Sequence, residues 1–117
     1  MFQRLKNFFL TGIFCCVIFT VSAQEPATVE DLIEQYEAGK FQNNDMEILK
    51  KISEETTQPD TKLRYSELLI KEAGKDSLFN MLRSGFLQKG NALRWKGDYG
   101  PALNSFFERL KYAQRAD

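Results

Sequence analysis

The chain predicts an all-α fold of antiparallel helical hairpins, and three observations carry that expectation. From Thr28 onward apolar residues recur at helical spacing rather than in alternation. No run of β-branched residues bounded by turn residues reads as a strand. Glycine and proline stand where helices stop and start: Gly39, Gly74 and Gly97 follow apolar stripes, and Pro101 opens one, where its missing N–H costs nothing.

Taken in order, Val29, Leu32, Ile33 and Tyr36 form the stripe of a short first helix, with Thr28 as N-cap, Asp31 three positions on and Gly39 for the left-handed turn at its end. A second helix starts near Asp45, carries Ile48, Leu49 and Ile52, and gives way to the polar run 53–58 ahead of Pro59. The third, over about residues 60–73, puts Tyr65, Leu68 and Leu69 on one side and takes Gly74 as its stop. The fourth starts at Asp76, a cap for the free N–H groups of its first turn, and presents Phe79, Leu82, Phe86, Gly90 and Leu93 before Gly97-Asp98 ends it. The fifth is expected to bury Leu103, Phe106, Phe107 and Leu110.

Ahead of these helices, residues 1–23 have the parts of a secretory signal: basic Arg4 and Lys6, an apolar run from Phe8 to Val21, and the small-residue ending Val21-Ser22-Ala23. Cleavage is expected before Gln24, which places the mature protein in the periplasm or another extracytoplasmic space. An uncleaved anchor is the competing reading, although a spanning helix needs about 20 apolar residues. A lipoprotein signal is a third, disfavoured by bulky Ile13 and Phe14 before Cys15.

Composition excludes much chemistry. The chain has 16 basic and 16 acidic residues, and bulk charge therefore recommends neither nucleic acid nor an anionic membrane surface as a partner. With no histidine there is no Ser-His-Asp or Cys-His pair and no His-ligated zinc site. Both cysteines, Cys15 and Cys16, lie in the leader, so a cleaved chain has no thiol, disulfide or cysteine-bound metal. Glu54-Glu55 and Glu30-Asp31 are adjacent on helices and do not face each other, so they read as solvated surface rather than acid/base pairs. Asn43-Asn44-Asp45 lacks the alternating oxygen ligands of a calcium loop and reads as a turn and cap. Gly85, Gly90 and Gly97 lack the Lys-Ser/Thr ending of a phosphate loop. No enzymatic activity, cofactor or metal is expected.

Within the last two helices Gly90, Ala92, Gly97-Asp98-Tyr99, Ala102, Leu103 and Phe106 go beyond amphipathicity, and this pattern resembles a tetratricopeptide repeat. With Gly90 at the inner glycine of that unit of about 34 residues, Gly97 falls at the turn, Ala102 at the inner alanine and Phe106 at the packing aromatic, in register over residues 83–116. Gly90 and Ala102 are small where two helices approach, and Tyr99 and Phe106 fill the gap to a neighbouring hairpin. Lys89, Leu93 and Arg109 depart from the family pattern. The resemblance implies an α-solenoid fragment: an N-terminal segment at 24–44 with a short helix, a degenerate hairpin at 45–74 and a repeat at 76–117.

Two functions follow from the resemblance. The first is a non-catalytic interaction or sensor module that holds a peptide, a protein, further repeats or a second copy against its helices. The second is the N-terminal sensor region of a membrane-bound cyclase or kinase, since the arrangement resembles the extracytoplasmic arrays of Bacteroidetes-type signalling proteins. Candidate partner-binding residues are Trp95, either a half-exposed anchor or packed on the preceding hairpin, and Lys89, Arg94 and Lys96, either a groove for acidic groups or a solvated basic face.

Overall fold

The computed structural model describes residues 27–41 and 45–115. The leader with its cleavage point, the Asn43-Asn44 turn and Ala116 at the end of the repeat register lie outside the described residues. The described residues are all-α: α1 (Val29–Glu37), α2 (Asp45–Glu55), α3 (Pro59–Lys75), α4 (Phe79–Trp95) and α5 (Tyr99–Arg115). Each helix packs on the next, and α2 also touches α4, so the α2–α3 and α4–α5 hairpins lie side by side.

Local chemistry sets the helix ends. At α1 the Thr28 hydroxyl accepts from the Asp31 N–H at 3.2 Å while the Asp31 carboxylate accepts from the Thr28 N–H at 3.1 Å, a closed capping box. Gly39 ends that helix at φ +74° and Gly97 ends α4 at φ +85°, both in the left-handed region that glycine enters without a Cβ penalty. The end of α3 differs from expectation. Gly74 is helical and α3 runs to Lys75, while Ser77 takes the left-handed position at φ +52°. Asp76 closes α3 instead of capping α4, which begins only at Phe79. The reason is a shared joint: Leu78 N–H bonds to Ala73 O just as Asp98 N–H bonds to Leu93 O, so the same three-residue turn connects α3 to α4 and α4 to α5. Burial of Ala73 and Leu69 holds the last turn of α3 in helix, and that tertiary packing outweighs the local preference for a glycine stop.

The core of the first three helices is Leu32, Leu49, Ile52, Tyr65 and Leu69, with Val29, Ile33, Tyr36 and Leu68 packed around it. These are the stripes expected of α1 to α3. The α4–α5 hairpin closes differently, through small residues and stacked rings. A Cβ built on Gly90 would stand 2.7–2.8 Å from Cδ1 and Cζ of Phe106, and Ala92 and Ala102 are buried. The Tyr112 ring stacks on Phe86 at 5.6 Å and on Phe79 at 5.9 Å between centroids.

The expectation that α5 buries Leu103, Phe106, Phe107 and Leu110 is corrected. Phe106 packs on Gly90, but Leu103, Phe107 and Leu110 are each more than half exposed. The inward face of α5 is instead built on Ala102, Ser105 and Phe106, one helical step round from the most apolar stripe. Gly90 makes room for the Phe106 ring, and the face that carries Phe106 with Ala102 and Ser105 is therefore the one turned inward, which leaves Leu103, Phe107 and Leu110 outside.

Candidate functional site

Two surfaces flank the α4–α5 hairpin, and a buried lysine fixes their scaffold. Lys62 on α3 is almost wholly buried. Its ammonium donates to the Ser53 carbonyl, to the Glu54 carbonyl at 3.3 Å and to Gln88 Oε1 at 3.1 Å. The two carbonyls belong to the last turn of α2, so one cation satisfies orphan acceptors and complements the negative end of that helix dipole. Burial lowers the Lys62 pKa, with the Glu54 charge opposing that shift. The Trp95 ring lies 5.1 Å from the Lys62 Nζ, so α2, α3 and α4 meet on this one side chain.

The expected binding residues divide. Trp95 has one face on Lys62 and remains 48% exposed, which joins the two sequence readings of it. Lys96 pairs with Asp60 at 2.5 Å and Lys89 with Glu67 at 3.7 Å, each bridging α4 to α3; the Asp60 hydrogen bond and charge raise the Lys96 pKa. Arg94 is exposed. Lys89 and Lys96 therefore pair with carboxylates of α3 at the surface, and Arg94, Trp95 and Lys96 are all exposed. Of the repeat-packing residues, Gly90, Ala102 and Phe106 meet at the helix crossing and Gly97 makes the turn, whereas Tyr99 is 70% exposed.

The first surface is the outer face of α5, where Tyr99, Leu103, Phe107 and Leu110 make an apolar stripe. The second is an open groove of about 470 Å³ on the side where α2 and α4 lie together, lined among others by Lys50, Glu54, Asn80, Arg83, Leu87 and Arg109. Lys50 pairs with Glu54 at 3.8 Å, and the Ser84 hydroxyl donates to the same carboxylate at 3.2 Å. Sequence reasoning passed over this groove because its residues come from three helices, and the face of α4 that carries Asn80, Arg83, Ser84 and Leu87 at helical spacing is mostly polar, so no apolar stripe marks it. Only Arg109 gave a sign, as a large cation where the resembled repeat has a small residue.

Compared with family models, curated protein sequences and solved structures, the chain has no match. The site therefore stands on its own geometry. Among the described residues no cluster of three metal-ligating side chains occurs, and no helix is long and apolar enough to cross a membrane.

Proposed function

We propose that this protein is a non-catalytic interaction module of the tetratricopeptide type, exported from the cytoplasm, whose helical hairpins hold another polypeptide. The observation that carries the reading is the position of the α5 stripe. Helices α3 and α5 each have 17 residues and follow the same place in their hairpins. Matched by position, Leu103, Phe107 and Leu110 of α5 correspond to Leu63, Glu67 and Ile70 of α3. In α3 that side borders α4: Glu67, itself half exposed, pairs with Lys89 at 3.7 Å, and Ile70 lies against Gly85 so closely that an added Cβ would stand 2.7 Å from its Cγ1. The same side of α5 is bare and more apolar. An amphipathic helix of a partner, laid on α5 as α4 is laid on α3, is the occupant this geometry fits.

The test is the double substitution Leu103→Ser with Phe107→Ser in the full chain. A stripe kept for binding contributes little to folding, so denaturant unfolding should change by less than about 1 kcal/mol. Binding of a hydrophobic dye such as anilinonaphthalene sulfonate should fall sharply. A loss of about 3 kcal/mol or more would mean the stripe belongs to the core, and the reading would be withdrawn.

A further inference from the structure

We infer that the occupant of the α5 stripe is a second copy of this chain, whose own α5 lies antiparallel on the first about a two-fold axis at the height of residue 105. The inference rests on the docking reading above and names its partner. Gly100, Leu103, Phe107, Leu110 and Gln114 follow one another at steps of three, four, three and four, the seam spacing of two helices that wind on each other. Turned end for end, this seam fits itself. Phe107 of one copy stands opposite the partner's Leu103, and Leu110 opposite the partner's Gly100. Gly100 is the hollow such a knob needs, since a Cβ built there meets nothing within 4 Å. Each contact is made twice, as in any isologous interface. The packed side of α5 is Ala102, Ser105 and Phe106, so a second copy on the stripe displaces nothing of α4.

Area and charge both favour a second copy. Tyr99, Leu103, Phe107 and Leu110 are each between half and three-quarters exposed. At about 200 Å² for a large side chain, they offer on the order of 450 Å² per copy, so two copies bury close to 1,000 Å², the lower end of what a specific interface needs. An interface of that size gives a reversible dimer rather than an obligate one. The stripe itself carries no charge, and the ions around it are engaged within each copy: Lys111 pairs with Glu108 at 2.7 Å, and Arg115 turns to the Tyr112 ring at 5.9 Å. Like copies therefore meet without repulsion, and a strongly charged partner finds no counter-charge on the stripe to read.

The experiment is sedimentation equilibrium on the protein as cells produce it from the full chain, at about 5 to about 500 µM. A monomer–dimer equilibrium with a dissociation constant of about 1–100 µM is expected. Leu103→Ser with Phe107→Ser should weaken it at least about tenfold. Gly100→Lys should do the same by setting a cation against the partner's Leu110, while its melting temperature holds or rises, because lysine is the better helix former and the space is open. A nitroxide on Gln114→Cys should report about 30 Å between the two labels of an antiparallel dimer. A monomer at every concentration would overturn the inference, as would a dimer indifferent to these variants or labels closer than about 20 Å, the mark of a parallel pair. The docking reading survives any of those results if the serine variant keeps the wild-type denaturation midpoint and position 103 cross-links to a different polypeptide. Loss of stability in the serine variant withdraws both.

Discussion

At the scale of single residues, Lys62 and Tyr65 show how a small helical chain meets the demands of its buried polar groups. Removing the ammonium with Lys62→Ala leaves the Ser53 and Glu54 carbonyls and the Gln88 amide oxygen short of a donor, and should cost about 3 kcal/mol in denaturant unfolding. Lys62→Met, which keeps the packed stem, should cost less than the alanine variant. Tyr65 donates its hydroxyl to Glu37 at 2.7 Å, and burial, followed by that bond, pushes its pKa up to about 12. Because the folded value lies above the unfolded value of 10.0, the contribution is complete below pH 10 and is lost as pH rises toward 12. Melting temperatures of the wild type should therefore fall over that interval more steeply than those of Tyr65→Phe. Neither role was legible in the sequence. A lysine is rarely buried unless it is paired, and the partners of Lys62 lie 8, 9 and 26 positions away on other helices.

At the scale of elements, the joints were legible where glycine occupies the left-handed position and illegible where it does not. Gly39 and Gly97 were readable as such, but the equivalent place between α3 and α4 is held by Ser77, with Gly74 left inside the helix. Ser77→Gly should stabilise the protein by about 1 kcal/mol by removing the Cβ strain of a positive φ. Gly97→Ala should destabilise it by about 1 kcal/mol for the same reason, since no neighbour obstructs the added methyl. Both are read from the denaturation midpoint at unchanged slope. Gly90→Ala acts through contact rather than through φ: the new Cβ meets the Phe106 ring and should cost about 2 kcal/mol, partly recovered by Phe106→Leu. Helix periodicity located every apolar stripe but did not say which would be covered. In α5 the space left by Gly90 takes the Phe106 ring and so turns the face of Ala102, Ser105 and Phe106 inward and Leu103, Phe107 and Leu110 outward, a choice made by the neighbouring helix and absent from the local pattern.

At the scale of the whole molecule, the last three helices are equal in length, and corresponding positions in α3 and α5, such as Pro59 and Tyr99, are 40 residues apart. That step is longer than the tetratricopeptide unit of about 34 residues, so the resemblance rests on the residues at the helix crossing and the turn rather than on repeat length. The two flanks differ in what meets them: α4 packs against Ile70 and pairs with Glu67 on α3, and the matching flank of α5 is exposed and apolar. We propose that a helix of another polypeptide occupies that flank. The most direct measurement is a photo-cross-linking scan in cells that make the protein, with benzoylphenylalanine placed in turn at positions 103, 107 and 110 and, as controls on the same helix, at 104, 108 and 111. Cross-links to one defined polypeptide are expected from 103, 107 and 110 and none from the controls. Absence of cross-links from the stripe, or equal yields from all six positions, would contradict it.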